Sequence, residues 1–122
     1  MIAVIDQLFD GMRQGDSARV HRVFAAAARL HTISEEAALK ETSLSQFLEA
    51  VGTPHAEEWD ERVTSYEIQQ DGPLATVWTP YSFYRGGRLS HCGVNAFQLV
   101  HLRDGWKILQ ITDTRRKEGC IE

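Results

Sequence analysis

Three polar residues in the second half of the chain could carry acid–base chemistry: His91, Asn95 and Asp113. His91 and Asn95 lie in a long run of small and apolar residues, where polar side chains are rare. A histidine can move a proton near neutral pH, and a carboxylate removed from water holds its proton more tightly. The residue types therefore predict a catalytic pair, Asp113 and His91, with Asn95 as an orienting, substrate-binding donor. In the structural alternative, Asp113 pairs with an arginine, and His91 and Asn95 only bond to their neighbours.

Four more side chains are candidates for the wall of a substrate pocket: Trp78, Ser82, Tyr84 and Tyr66. Aromatic rings can stack on a flat ligand, and tyrosine and tryptophan add one polar group each. Aromatic residues of a sheet also belong to the core in many proteins, and that alternative stays open here. His31 is a further candidate, but the sequence does not place a partner for it.

Other kinds of chemistry lack a signature. No pair of histidines has the spacing of a zinc site, and neither a glycine-rich phosphate loop nor a nucleophile elbow is present. We therefore predict no metal and no cofactor. Cys92 reads as a buried small residue, and we expect Cys92 and Cys120 to be free thiols.

Composition narrows the class of protein further. The 122 residues are 43% hydrophobic and 25% charged, which is typical of one globular domain spanning residues 1–122. The net charge of −4 argues against a nucleic-acid partner, which needs a basic surface. Membrane association is not expected either, because no apolar run approaches the roughly 18 residues of a membrane span. Free thiols and the lack of a signal-like leader predict a cytoplasmic location.

The elements that must position these residues divide into helices and then strands. An apolar stripe at helical spacing predicts a first helix that ends near Gly15, and Asp16 caps a second helix extending through Phe24 and Ala27. Residues 28–34 resemble a strand. A third helix follows Ser43, which has capping-box spacing to Gln46, and ends near Gly52.

Three glycine-containing turns, at residues 71–72, 86–87 and 104–105, divide the second half into antiparallel strands. The predicted strands are residues 62–70, 74–85, 88–102 and 106–115. Helices followed by a meander indicate an α+β fold and not a parallel sheet.

Two turns determine which side chains share a face. If Arg85 pairs with Arg88, Ser82 lies opposite His91, and Pro80 meets Gly93 at a bend or bulge. For the last turn, a two-residue loop would place Leu109 and Ile111 on the opposite face from Phe97 and Leu99. We prefer a three-residue loop at 103–105 with a glycine bulge, which places them on the same face and Asn95 opposite Asp113. One face then collects the polar candidates with an apolar group: His91, Asn95, Asp113, Trp78, Ser82, Tyr84, Phe97, Leu99, Leu109 and Ile111.

The second face is predicted to be too apolar for water. It would carry a set of apolar and aromatic residues: Val77, Thr79, Tyr81, Phe83, Cys92, Val94, Ala96, Val100, Trp106 and Ile108. Since the helices can cover only one face, a second copy of the chain is the simplest partner, and we predict a homodimer through this outer sheet face.

The segments 78–84, 90–97 and 105–116 together resemble the nuclear transport factor 2-like superfamily, and most closely its putative lumazine-binding branch near the polyketide-cyclase-like group. The resemblance implies a cone-shaped, curved antiparallel sheet, the cystatin-like α+β barrel, covered by N-terminal helices, with a pocket at its open end and a tendency to dimerise through the sheet. It implies no single activity, because members include isomerases, dehydratases, cyclases, hydrolases and binding modules.

Three functions remain open from the sequence. The chain could be a cofactor-independent acid–base enzyme (an isomerase, hydro-lyase or hydrolase) on a small, partly apolar substrate. It could also be a non-catalytic binder of a small-molecule ligand, or a dimerising scaffold whose cone is filled by its own side chains. Convergence of His91, Asn95 and Asp113 on an open cavity favours the first two over the third.

Overall fold

The computed structural model describes residues 1–120, in which three helices and seven strands alternate early and then give way to strands alone. Their bounds are α1 (Ile2–Gln14), α2 (Ser17–His21), β1 (Phe24–Ile33), β2 (Leu39–Thr42), α3 (Leu44–Gly52), β3 (Trp59–Val63), β4 (Glu67–Asp71), β5 (Leu74–Arg85), β6 (Arg88–Leu102) and β7 (Gly105–Thr114).

The helices form where their caps predict them. α1 ends at Gly15, whose left-handed φ of 68° lets its N–H return to the carbonyls of the last turn. The Asp16 side chain caps α2 by accepting from the Arg19 N–H. Ser43 and Gln46 form the complete capping box at the start of α3. The apolar stripe of α1 is buried in the core.

The helical interpretation of residues 24–27 was wrong, because strand β1 already begins at Phe24. Its pairing with β7 overrides the local helical pattern: the Ile108 N–H donates to the Val23 carbonyl at 2.8 Å, and Phe24 lies opposite Ile108. This pairing is parallel, so the otherwise antiparallel sheet contains one parallel neighbour pair. The short exposed strand β2 had not been predicted.

The seven strands form one curved, unclosed sheet in the order β2-β1-β7-β6-β5-β3, with β4 also on β5. The strand predicted at residues 62–70 is in fact two strands: β3 pairs with the second half of β5, and β4 with its first half. The helices cover the inner face of this sheet, which confirms the α+β, cystatin-like class expected from the sequence.

The turn between β5 and β6 begins as predicted but does not keep its register. Arg85 pairs with Arg88, yet an extra residue in β6 then shifts the pairing, so that Phe83 and not Ser82 lies opposite His91. Such a bulge moves every later side chain of one strand relative to its neighbour. His91 and Asn95 therefore share a face with Phe83 and Tyr81, the reverse of the predicted grouping.

The turn between β6 and β7 reaches the predicted pairing by another route. Leu102 pairs with Gly105, which leaves a two-residue loop and not the three-residue loop that we preferred. A register shift near Leu109 then adds one residue, and Asn95 lies opposite Asp113 as expected. The shift also brings Ile108 onto the inner face, where it is fully buried.

The predicted composition of the outer face was therefore partly wrong. Several residues assigned to it lie in the buried core of the inner face instead: Val77, Tyr81, Phe83 and Ile108. Trp78 alternates to the outer side, where 49% of it is exposed.

Cys92 and Cys120 form a disulfide, contrary to the expectation of two free thiols. Cys92 also exchanges both backbone hydrogen bonds with Arg116, so the segment after β7 continues along β6 and brings Cys120 back to the sheet. No spacing of residues in the sequence predicts this return. The disulfide removes the thiol argument for a cytoplasmic location, which stays a prediction. Among residues 1–120, no helix is long and apolar enough to cross a membrane.

Candidate functional site

A cavity of about 240 Å³ lies between the helices and the inner face of the sheet. Its volume equals that of about eight water molecules in the liquid, which limits it to a small ligand. Its wall is mostly apolar: Leu8, Phe9, Met12, Leu30, Phe47, Ala50, Trp59, Tyr81, Phe83, Phe97 and Ile111. Its polar members come mainly from the far ends of the strands: His31, Thr32, Thr42, Gln46, Glu61, Arg85, His91, Asn95, Asp113 and Arg115.

The carboxyl group of Glu61 is the strongest candidate for proton transfer, and it had not been identified from the sequence. Glu61 lies on β3 opposite Phe83, and its Oε2 accepts a hydrogen bond from Asn95 Nδ2 at 2.6 Å. The pKa of Glu61 is raised from 4.5 to about 7, first by burial and also by the nearby Asp113 charge, while the bond from Asn95 and the Arg115 charge oppose the rise. A carboxyl with this pKa can both accept and release a proton at neutral pH.

The Asp113 carboxylate is held by three donors. Thr32 Oγ1 donates to Oδ1 at 2.6 Å, while the Tyr81 hydroxyl and Arg115 Nε both reach Oδ2 at 3.2 Å. Tyr81 also donates to the Thr114 carbonyl at 2.7 Å, and burial beside these acceptors raises the pKa of its phenol. Asp113 therefore both pairs with an arginine, as in the structural alternative, and lines the cavity.

Tyr81 reaches across the strand because Gly93 lies directly opposite it. A Cβ atom on Gly93 would overlap the Thr114 carbonyl oxygen, the same atom that accepts from Tyr81. The missing side chain therefore allows the close approach of β6 and the end of β7 that assembles the Asp113 network.

His91 lines the same cavity, stacked against Phe83 with the ring centroids 5.0 Å apart. Burial lowers the pKa of His91 to about 4, and the Arg115 charge acts in the same direction. At neutral pH the imidazole is therefore uncharged and has one N–H donor and one acceptor nitrogen.

The four predicted wall residues Trp78, Ser82, Tyr84 and Tyr66 do not line this cavity. The β6 bulge explains the first three, because Trp78, Ser82 and Tyr84 alternate with the inward-facing residues of β5. Arg62 lies over the Tyr84 ring at 4.0 Å from its centroid. The Tyr66 hydroxyl donates to Asp6 Oδ1 at 2.7 Å, beside α1.

A signal for Glu61 was present in the sequence. Trp59, Glu61 and Val63 alternate, so an acid occupies the inward position between two apolar residues. Starting the strand at residue 62 had hidden this alternation.

The side chains that could hold a metal do not cluster. Within residues 1–120, no group of three or more His, Cys, Asp or Glu side chains is arranged to bind a metal ion. What the cavity does bring together is one carboxyl that titrates near neutral pH, an amide bonded to it and an uncharged imidazole, all against apolar walls. Such a set can abstract a proton from a bound molecule and donate hydrogen bonds to a neighbouring oxygen.

A helix-covered, curved sheet that closes over one polar-lined cavity defines the nuclear transport factor 2-like class of folds. Residues 1–112 match the family model described as "Putative lumazine-binding", and the chain belongs to this family. Among curated proteins, none matches the chain.

Solved structures agree on the fold. One is called a putative dehydratase of the nuclear transport factor 2-like family from Streptomyces avermitilis; it is 15% identical, with a TM-score of 0.72 over 93% of this chain and 91% of that one. A protein called a putative aromatic ring hydroxylase, from Novosphingobium aromaticivorans, is also 15% identical, with a TM-score of 0.73 over 93% and 84%. A cystatin-like protein of unknown function from Nostoc punctiforme is 9% identical, with a TM-score of 0.76 over 96% and 89%. At these identities the likeness concerns the fold alone.

Proposed function

We propose that this protein is a cofactor-independent acid–base enzyme acting on a small, partly apolar substrate, with Glu61 as its proton-transfer group. The observation that carries the proposal is the Glu61 carboxyl in an apolar cavity, bonded to Asn95, with its pKa raised to about 7. A group that titrates at the working pH is the most effective proton carrier. The small cavity limits the substrate to a compact molecule.

Asn95 and His91 are the donors of the proposed site. The Asn95 amide donates one of its two Nδ2 hydrogens to Glu61 and has a second that can donate. Uncharged His91 has one ring N–H. Both can hydrogen-bond a substrate oxygen as negative charge develops on it. Asp113 was predicted as a catalytic residue; because three donors already occupy it, we assign it a positioning and electrostatic role, raising the proton affinity of Glu61.

The simplest reaction to test is removal of a proton from a carbon next to a carbonyl group. Ionised Glu61 would take the proton as the C–H bond breaks, the carbonyl oxygen would become an enolate oxygen, and the proton would then return to carbon. In D₂O the returned atom is deuterium, because the Glu61 proton exchanges with solvent.

NMR should therefore record deuterium uptake by small aryl ketones that bind the cavity. We expect Glu61→Gln to slow this uptake by at least roughly 100-fold, the usual size of a general-base contribution. Glu36→Gln removes the same charge from an exposed position outside both the cavity and the outer-face groove, and should leave the rate unchanged. Uptake equal in wild type and Glu61→Gln contradicts the assignment.

A non-catalytic binding module is the second candidate, favoured by the largely aromatic and aliphatic wall of the cavity. Ligands that bind without any proton exchange would support this function instead. Absence of binding would favour the scaffold.

We also propose the homodimer through the outer sheet face, with a corrected set of contacts. Trp78 is 49% exposed beside a groove of about 630 Å³ on that face. A stable dimer should bury on the order of 1,200 Å² in total. Light scattering should show a dimer at micromolar concentration, and Trp78→Lys should convert it to a monomer; a wild-type monomer contradicts the proposal.

A further inference from the structure

The mouth of the cavity is marked by its exposed lining residues, and two of them are arginines. Arg85 and Arg115 are both exposed, and both belong to the cavity wall. The Glu61–Asn95 pair and the apolar rings of the wall are instead buried or half-buried. Positive charge is thus concentrated where a ligand enters.

The topology brings these two arginines to the same end of the sheet. Arg85 ends β5 and Arg115 follows the end of β7, and both strands run antiparallel to β6 between them. Arg85 lies two residues beyond Phe83, the partner of His91, and Arg115 lies two residues beyond Asp113, the partner of Asn95. Because Arg115 is level with Gly93 and Tyr81, it is also displaced from Arg85 by four residues along the sheet. Two strand spacings and this offset separate the two backbones by roughly 16 Å, a gap that two extended arginine side chains can close around one small group.

Neither guanidinium is fully neutralised. Within the described part of the chain, Arg85 forms no ion pair or side-chain hydrogen bond, while Arg115 uses Nε for Asp113. Thr32 and Tyr81 also donate to Asp113 but are neutral, so the Asp113 carboxylate still offsets part of the Arg115 charge and the positive charge without a carboxylate partner is that of Arg85. An arginine fork held at an apolar cavity suits a planar carboxylate, which accepts two parallel hydrogen bonds.

We propose that the ligand of this cavity is a small carboxylic acid, whose carboxylate lies between Arg85 and Arg115 and whose apolar body extends inward against Phe83 and Phe97. The proposal deepens the acid–base function, since it rests on the same cavity and names the class of substrate. Arg85 pairs with Trp59, two residues along β3 from Glu61. Arg115 lies level with Val63, two residues along β3 on the other side of Glu61. A carboxylate between the two arginines would therefore lie near His91, two strand spacings or roughly 10 Å across the sheet from Glu61, which leaves room for the reacting part of the molecule between them.

The test compares phenylacetate with phenylacetamide, which has the same shape and no charge, by NMR or calorimetric titration at pH 8. Wild type should bind phenylacetate at least tenfold more tightly, as expected for charge-assisted hydrogen bonds. Arg85→Gln should remove most of this difference by weakening phenylacetate alone. Arg88→Gln is the matched control, because Arg88 lies opposite Arg85 in the same turn, is exposed and does not line the cavity.

Equal affinity for the two compounds in wild type overturns the proposal, and so does an equal effect of Arg85→Gln and Arg88→Gln. Tighter binding of phenyl phosphate than of phenylacetate overturns the assignment to carboxylates. Lack of binding by any probe at millimolar concentration overturns it as well. If the protein binds carboxylates selectively but exchanges no protons, the proposed acid–base activity is refuted and the ligand class is not. If it exchanges protons of neutral ketones but does not prefer carboxylates, the proposed ligand class is refuted and the activity is not.

Discussion

Replacing Glu61 by Gln should make the folded protein more stable at alkaline pH and leave its stability unchanged at acidic pH. The pKa of Glu61 is about 7 in the folded protein, against an ordinary value of 4.5. The folded state therefore holds the Glu61 proton more tightly than the unfolded chain does. Below about pH 4.5 both states are protonated; as the pH rises from there the folded state is progressively penalised, and above about pH 7 the penalty is constant.

The size of this penalty follows from the two pKa values. Their difference of about 2.5 corresponds to at most about 3.4 kcal/mol, since one pKa unit equals 1.36 kcal/mol. Glutamine keeps the side-chain shape and the oxygen that accepts from Asn95, so the substitution removes the buried charge and little else. We expect Glu61→Gln to gain about 3 kcal/mol at pH 8.5.

Urea denaturation at pH 4.5, 6.5 and 8.5 measures this gain. For a small domain, about 3 kcal/mol moves the midpoint by about 1 to 3 M urea. The difference between Glu61→Gln and wild type should be near zero at pH 4.5, whereas Glu36→Gln, at an exposed position outside the cavity and the outer-face groove, should follow wild type throughout. A gain that is the same at all three pH values, or a loss at pH 8.5, would refute the buried-charge reasoning and with it the basis for Glu61 as the base.

Three further predictions follow from the neighbouring network. Cys120→Ser should cost about 3 to 4 kcal/mol of unfolding free energy under oxidising conditions, because the Cys92–Cys120 disulfide closes a loop with a sequence separation of 28; a reductant should abolish the difference, and two free thiols in freshly purified wild type would contradict it. Gly93→Ala should cost about 1 to 3 kcal/mol in urea denaturation, because its Cβ displaces the Thr114 carbonyl; an unchanged midpoint refutes the close approach. The imidazole of His91 should titrate near pH 4 by NMR and not near 6.5; since its folded pKa is lowered, stability is lost as the pH falls from about 6.5 towards 4.

Local signals predicted most of the fold. The caps at Asp16 and Ser43 and the turns at residues 71–72 and 86–87 depend on a few neighbouring residues, and each lies where it was expected. The errors arose where long-range pairing overrides local pattern. Residues 24–27 are alanine-rich and read as helix, yet pairing with β7 makes them the start of β1.

The site was only partly predictable, because the side of the sheet on which a side chain lies depends on the exact number of residues between it and the turn. Strand side chains alternate with a period of two, so one bulged residue exchanges the faces of everything beyond it. The bulge in β6 moved Trp78, Ser82 and Tyr84 away from the cavity and brought Tyr81 and Phe83 into it. In β7, two differences from the prediction cancel. The loop before β7 is one residue shorter than predicted, and a later register shift adds one residue to β7, so Asn95 and Asp113 remain opposite each other.

Glu61 shows what this dependence means for function. The alternation of Trp59, Glu61 and Val63 marks its position as inward, but its residue type does not distinguish it from the other charged residues around β3. It becomes a candidate base only because β3 pairs with the far half of β5, which turns its carboxyl towards Asn95 and away from water. Chemistry at this position is therefore a property of the register and not of the residue type. The double variant Glu61→Gln, Arg62→Glu moves the carboxyl by one residue, to a position that faces the outer side of the sheet. The pKa of this carboxyl should then return to near 4.5 by carboxyl NMR, and a carboxyl that still titrates near 7 would show that burial on the inner face is not the cause.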